Sequence, residues 1–197
     1  APYVISQYDL INVQATATTP VTCFGDTNGV LEINVTGFTG NYDYEVFTQA
    51  GISTGITGSA NTASNPLAIG GLSGGNYFVR LTETTSPFCI EDSNIITIVS
   101  PDMPLTTITT PVANVTCTND QGEISVIPDG GYAPYDITLT NNTTSQVYSV
   151  TNVNGYVFTG LSEGNFTVTI TDFNGCVVSD STALVRPAPI AANIDAT

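Results

Sequence analysis

The clearest pattern in the chain is an alternation of apolar and polar residues between two turns. Within the stretch 160–176, Phe166, Val168 and Ile170 alternate with threonines, which predicts a β-strand with one apolar face. A similar stretch occurs at 71–83, again with a Gly-rich turn followed by an alternating strand. An internal repeat on this scale predicts that the chain is built from like modules.

Other landmarks recur in the same order in both halves. The triplet Val-Thr-Cys, at 21–23 and 115–117, precedes a turn rich in Asp, Asn and Gly and then an alternating strand. A Gly-rich turn, at 37–40 and 130–131, leads into the next strand. We therefore predict repeats of about 85 to 95 residues. The predicted divisions are 1–9 as an N-terminal segment or the end of a preceding repeat, 10–100 as repeat 1, 101–187 as repeat 2, and 188–197 as the first strand of a following, truncated repeat.

Each repeat is predicted to be all-β, an immunoglobulin-like antiparallel β-sandwich. About six or seven short strands with one apolar face each fit two facing sheets, and no helical period offers the crossovers that a parallel sheet needs. The predicted core of repeat 1 is Leu31, Ile33, Val35, Tyr42, Tyr44, Tyr77, Val79, Leu81, Ile96 and Ile98. The predicted core of repeat 2 is Ile124, Val126, Tyr135, Ile137, Leu139, Phe166, Val168, Ile170 and Leu184.

Charge narrows the range of functions. The chain has 17 acidic residues, 2 basic residues and no His, for a net charge of −15. Nucleic acid is excluded as a partner because phosphate binding needs clustered cations, and the lack of His and Lys removes the usual catalytic bases, so we predict no enzyme. An acidic, Lys-free surface suits an extracellular protein. No apolar run reaches the roughly 18 residues of a membrane span, so we expect no membrane insertion, and the start at Ala1 leads us to expect a segment of a longer exported protein.

The order of these landmarks resembles the SprB-type repeat. In repeat 2 the resemblance is carried by the Gly-Gly-x-x-Pro-Tyr run at 130–135 and by the stretch 160–176; in repeat 1, residues 38–41 and 84–88 depart from the pattern. SprB-type repeats build very large surface adhesins of gliding Bacteroidetes and are distantly similar to PKD and immunoglobulin-like modules. The resemblance extends over 10–187 and implies export, arrays of modules and adhesion.

Four cysteines, Cys23, Cys89, Cys117 and Cys176, are predicted to form disulfides, because the chain has no His or C-x-x-C spacing that would suit a metal. The preferred pairing stays within each repeat and joins Cys23 to Cys89 and Cys117 to Cys176. The alternative follows from strand parity. With seven strands in up-and-down order, the loop after the first strand and the loop before the last lie at opposite ends, so Cys23 would face Cys176 of the next repeat. Cys89 and Cys117 would then be free thiols in this chain.

Acidic turns raise the hypothesis of Ca²⁺ binding, since Ca²⁺ takes about six to eight oxygen ligands. The competing interpretation is that Asp and Asn before Gly only form turns, and the spacing of an EF-hand loop is missing. The candidate ligands are Asp26, Asn28, Glu91, Asp92, Asp102, Asp172 and Asn174.

Three functions remain open. The first is a structural spacer in an adhesin filament, with neighbouring repeats of the same chain as partners. The second is direct binding of extracellular glycans or surfaces through loops or an exposed sheet. The third is filament assembly by strand exchange through 190–197. The tyrosines considered for a glycan platform are Tyr44, Tyr132, Tyr148 and Tyr156, most of which are better explained by core packing or cross-strand pairing.

Overall fold

The computed structural model describes residues 10–86, 88–118 and 121–188. The chain divides into two compact units, Ala1–Ser100 and Pro101–Thr197. Within the described ranges the structure consists of β-strands and turns with one short 3-10 helix, Thr62–Ser64. No helix in this part of the chain has the length and apolar character needed to cross a membrane. The predicted all-β class is confirmed.

Unit 1 is a sandwich of two antiparallel sheets. One sheet has the order β1-β2-β5, and the other has the order β4-β3-β6, with both β7 and β8 paired to β6. The strands are β1 (Asn12–Thr19), β2 (Gly29–Thr36), β3 (Asn41–Thr48), β4 (Ser53–Asn61), β5 (Leu67–Leu72), β6 (Gly75–Glu83), β7 (Ile90–Asp92) and β8 (Ile96–Ile98).

A β-bulge separates β7 from β8, so the two segments are one interrupted last strand. The last strand has one residue more than the part of β6 that it faces. Within the bulge, Ser93 Oγ accepts the N–H of Val79 at 2.9 Å. The Asn94 amide accepts the N–H of Ala15 at 2.8 Å and donates to its C=O at 3.0 Å. Because Ala15 lies on β1, the bulge links the last strand to the first, across the two sheets.

Unit 2 repeats this topology with an uninterrupted last strand. Its sheets have the orders β13-β10-β9 and β12-β11-β14-β15, which correspond strand for strand to those of unit 1. The strands are β9 (Thr106–Ala113), β10 (Gly122–Asp129), β11 (Tyr135–Asn141), β12 (Gln146–Val153), β13 (Tyr156–Leu161), β14 (Gly164–Thr171) and β15 (Val177–Leu184).

Both cores lie between the sheets, and the core residues predicted from the alternation are buried with one exception. Tyr44 is only half-buried and packs at the edge of the unit 1 core. The sequence after β3 predicts polar loops, but the structure has the strand β4 there. Its composition of Ser, Thr, Gly and Asn hides the alternation because β4 is an edge strand with no fully buried side chain.

The first and last strands of each unit run in the same direction, so the chain passes through the unit from one end to the other. We call the end where the chain enters the proximal end and the end where it leaves the distal end. In unit 1, a Cβ added to Gly37 would collide with the backbone of Leu10, which marks the proximal end. At the distal end, Val21 donates its N–H to Val99 O at 2.8 Å.

The same ends are defined in unit 2. Gly131 donates its N–H to Met103 O at 3.1 Å where the chain enters. Arg186, which follows the last strand, donates from Nη1 to Thr116 O at 2.8 Å where the chain leaves. Residues 1–9 and 189–197, including the strand predicted at 190–194, lie outside the described residues.

Candidate functional site

The four cysteines divide between the two ends of the units. Cys23 lies in the loop between β1 and β2, and Cys117 lies in the loop between β9 and β10, so both are at distal ends. Cys89 directly precedes β7 and Cys176 directly precedes β15, so both are at proximal ends. Each unit therefore carries one cysteine at the end where the chain enters and one where it leaves.

The preferred pairing within repeats is wrong. Cys23 and Cys176 are disulfide-bonded, whereas Cys89 and Cys117 are free and exposed. The ends of a unit are separated by the length of its strands, which for the 8 residues of β14 is about 26 Å. The two Cα atoms of a disulfide lie within about 7 Å of each other. Two cysteines at opposite ends of one sandwich therefore cannot bond.

A buried carboxylate organises the loop that carries Cys176. Asp172 is 5% exposed and accepts three backbone N–H groups: from Tyr132 at 2.9 Å, from Asn174 at 2.9 Å and from Cys176 at 2.8 Å. The Asp172 N–H in turn donates to Cys176 O at 2.9 Å. Charge-assisted bonds of this kind are the stronger ones in proteins, so Asp172 fixes the backbone of Cys176.

Glu83 holds the equivalent position in unit 1. It is 7% exposed, its Oε2 accepts the N–H of Cys89 at 3.2 Å, and its own N–H donates to Cys89 O at 2.9 Å. Desolvation of the thiol, together with the charge and hydrogen bonding of Glu83, raises the pKa of Cys89. Sequence reasoning missed Glu83, although the signal was present, since Glu83 and Asp172 both end the repeated alternating strand.

Turn formation accounts for Asp26 and Asn28, the two candidate calcium ligands of the first distal loop. Asp26 Oδ2 accepts the N–H of Cys23 at 3.3 Å. The Asn28 side chain accepts the N–H of Thr22 at 3.0 Å and donates to its Oγ1 at 2.7 Å. These bonds close the loop on itself and present Cys23 at its start.

Three further candidate calcium ligands are exposed to solvent. Glu91 and Asp92 are exposed on β7, where Asp92 forms a bidentate pair with Arg80 at 2.7 and 2.8 Å. Asp102 is exposed between β8 and β9. Within the described ranges, no group of three or more His, Cys, Asp or Glu side chains is arranged to hold a metal. Calcium binding stays a prediction, to be tested by adding Ca²⁺ to chelator-treated protein and measuring Tm.

The outer face of the β4-β3-β6 sheet in unit 1 carries a cluster of aromatic and charged groups. Phe47 and Phe78 stack at 5.4 Å between ring centroids, and the Arg80 guanidinium lies 5.1 and 5.8 Å from the two rings. A groove of about 360 Å³ opens beside Arg80. Its lining residues are Asp43, Tyr44, Glu45, Thr57, Gly58, Ser59, Arg80 and Thr82.

The tyrosines considered for a glycan platform are distributed over the two units. Tyr44 lines the groove of unit 1, while Tyr132 lies half-buried in the proximal loop of unit 2. Tyr148 and Tyr156 both pack against Phe158, with centroid distances of 6.4 and 4.9 Å. Side-chain packing within unit 2 therefore accounts for the last two.

Comparison with protein families finds a similarity in both units. The family model of the SprB repeat matches residues 15–48 and 109–144. One match therefore falls in each unit. Each match covers part of the first strand and continues through the third strand of one unit, so the stretch 160–176 lies outside the matches. The resemblance to the SprB repeat inferred from the sequence is confirmed by these two matches.

Solved structures with a similar fold share little sequence with the chain. The crystal structure of DIP-gamma IG1+IG2 is 12% identical, with a TM-score of 0.43, and covers 89% of this chain and 99% of that one. The BSP domain of a biofilm-associated protein is 17% identical (TM-score 0.32, 90% of this chain, 30% of that one). A tetra-tandem repeat from the extending region of a large adhesion protein is 18% identical (TM-score 0.33, 89% of this chain, 50% of that one). These likenesses concern the fold alone. A search of curated protein sequences gave no match.

Proposed function

We propose that the two units are spacer modules of a long cell-surface adhesin filament, in which they support adhesion and gliding motility. The observation that carries this proposal is the passage of the chain from the proximal to the distal end of each unit. Modules connected in this way add their lengths along a filament. The net charge of −15 adds repulsion that opposes collapse.

A spacer in an adhesin must resist tension, and unit 1 has bonds suited to this. The two Asn94 bonds to Ala15 and the bond from Val21 to Val99 join the first strand to the last. In a unit loaded through its first and last strands, as in the reduced chain, tension would shear these bonds together instead of breaking them one after another. Resistance to forced unfolding depends on the height of the unfolding barrier, which such simultaneous loading raises.

We also propose that the disulfide joins Cys23 of unit 1 to Cys176 of unit 2 and staples one module to the next. Cys23 lies at the distal end of unit 1 and Cys176 at the proximal end of unit 2, and these are the ends connected by the segment 99–105. Because Cys89 and Cys117 are free, each bonded cysteine has only the other as a partner within the chain. A disulfide also supports an extracellular location, where the environment is oxidising.

Pulling experiments test the staple directly. A chain held at residues 1 and 197 should release only 1–23 and 176–197 while the bond is intact, which is about 16 nm at roughly 3.6 Å per residue. After reduction the whole chain can extend to about 70 nm. The variant Cys23→Ser should extend fully without reductant, whereas Cys117→Ser should behave like the oxidised parent. Equal extension before and after reduction would show that the bond does not join the two units.

Glycan binding is the second candidate function, and the groove in unit 1 favours it. Carboxylates, hydroxyls and a guanidinium line this groove, and such groups can hydrogen-bond sugar hydroxyls. Its volume falls within the usual range of ligand sites, about 300 to 1,000 Å³. By strand register, the counterparts of Glu45 and Arg80 in unit 2 are Thr138 and Thr169, so the charged pair is particular to unit 1.

A glycan array probed with the whole chain separates the two functions. A spacer should bind no glycan, whereas a binding module should retain particular glycans and lose them in the variant Arg80→Ala. The matched control is Thr169→Ala, which changes the equivalent position in unit 2. Retention that is equal in both variants would place binding away from the groove.

A further inference from the structure

Two thiols are left free after the one disulfide has formed, and both lie at ends of units. Cys89 is at the proximal end of unit 1, where the chain arrives from whatever precedes it. Cys117 is at the distal end of unit 2, where the chain continues. Both are exposed, so a neighbouring module could reach them.

Each free cysteine is the structural counterpart of a bonded one. Cys89 precedes the last strand of unit 1 as Cys176 precedes the last strand of unit 2. Cys117 follows Val115 in the first loop of unit 2 as Cys23 follows Val21 in the first loop of unit 1, and both valines are at most 1% exposed. Each free cysteine therefore occupies the same position relative to the strands as its bonded counterpart.

The backbone around the proximal cysteines is also held in the same way. A buried carboxylate, Glu83 or Asp172, accepts the N–H of the cysteine, at 3.2 Å for Cys89 and 2.8 Å for Cys176. A backbone bond of 2.9 Å from the same acidic residue to the cysteine C=O completes the pair in both units. The backbone of the free Cys89 is thus held by the same hydrogen bonds as the backbone of the disulfide-bonded Cys176.

Two exposed apolar residues flank Cys89 in the chain at the proximal end of unit 1. Phe88 is 60% exposed and Ile90 is 61% exposed, on either side of Cys89. Exposed apolar side chains that cluster at one place favour contact with another surface. A preceding module of the same kind would bring its own distal cysteine to this end of unit 1.

We propose that Cys89 bonds to the distal cysteine of the module before it and Cys117 to the proximal cysteine of the module after it, so that every junction in the array carries a staple. This inference rests on the proposed Cys23–Cys176 staple. Each new bond forms when two thiols lose two protons and two electrons to a disulfide oxidant. The oxidant's S–S bond breaks as the new one forms, and oxidised glutathione would leave as two molecules of glutathione.

A tandem protein tests the inference. Residues 1–189 of one copy are followed directly by residues 10–197 of a second, so that Leu10 takes the place of Ile190. The protein is oxidised with glutathione disulfide, its free thiols are titrated, and its disulfides are mapped by mass spectrometry of unreduced peptides. Each copy brings two free thiols, so the tandem protein should titrate four without the new bond and two with it.

The expected bond joins Cys117 of the first copy to Cys89 of the second. Replacing that Cys89 by Ser should restore the free thiol of its partner and leave the Cys23–Cys176 bonds intact. Four free thiols with both Cys23–Cys176 bonds present would overturn this inference alone. Absence of the Cys23–Cys176 bonds would instead overturn the staple of the proposed function. A tandem protein with Cys23 and Cys176 replaced by Ser should still form the new bond, which makes the readout independent of the first staple.

Discussion

Replacing Asp172 by Ala should destabilise unit 2 strongly, because one side chain holds three backbone N–H groups of two loops. The carboxylate binds Tyr132 N–H from the loop before β11, and it binds Asn174 N–H and Cys176 N–H from the loop before β15. Ala provides no acceptor for any of them. Both loops belong to the proximal end of unit 2, so the loss of these hydrogen bonds should destabilise the loop that contains Cys176.

The magnitude follows from the burial of these groups. A hydrogen bond to a charged group contributes about 1.5 to 3 kcal/mol, and a buried donor left without a partner costs about 1 to 3 kcal/mol. The Cys176 bond is buried, whereas the bonds from Tyr132 and Asn174 are partly buried, so water can replace the latter two in part. We therefore expect Asp172→Ala to lower the free energy of unfolding by about 3 to 5 kcal/mol.

Urea denaturation of the oxidised chain, followed by circular dichroism, measures this loss in the transition of unit 2. Hydrogen exchange of peptides that contain Cys176 should show faster exchange in the variant and localise the effect. Asp172→Asn keeps one oxygen for Asn174 and Cys176 and should cost about 1 to 3 kcal/mol. The control is Asp180→Ala, which removes a strand carboxylate bonded to the adjacent Ser181 N–H. A change below about 0.5 kcal/mol in Asp172→Ala would refute the role given to this carboxylate.

Three further changes probe the units separately. Gly130 and Gly160 have similar positive φ angles, 71° and 70°, but a Cβ at Gly130 would collide with backbone while Gly160 faces open space. Gly130→Ala should therefore lower the urea midpoint of unit 2 much more than Gly160→Ala, which should cost about 1 to 2 kcal/mol; equal losses would contradict the collision. Asn94→Ala removes both bonds between the bulge and β1, so in the reduced chain the unfolding force of unit 1 should fall while that of unit 2 stays the same. Glu83→Gln removes a negative charge that raises the pKa of Cys89, so the pKa should fall and alkylation at pH 8 should become faster; an unchanged pH profile of the alkylation rate would count against this cause.

Alternation along the strands predicts much of the two cores, although other buried residues, such as Val46, Ile69 and Leu161, are not among those predicted. Phe166, Val168 and Ile170 are fully buried because side chains of a strand point alternately to its two faces, and only one face is covered. The recurrence of this pattern along the chain is also sufficient to reveal the repeat. Strand β4 escaped detection because an edge strand with little apolar burial need not alternate. The prediction that Tyr44 is a core residue is wrong, since its side chain is only half-buried. Alternation indicates which face of the sheet a residue lies on, but not how far it is from the sheet edge.

The cysteine arrangement depended on the tertiary structure. The number of residues between Cys23 and Cys89 can be read from the sequence, but the end of the sandwich at which each one lies cannot. That end is decided by how many strands separate the two cysteines, since every strand reverses the direction of the chain and carries it across the full length of the unit. Strand β4, whose polar composition conceals it, is one of those strands. With β4 in place, Cys23 and Cys89 lie at opposite ends of unit 1, beyond the reach of a disulfide.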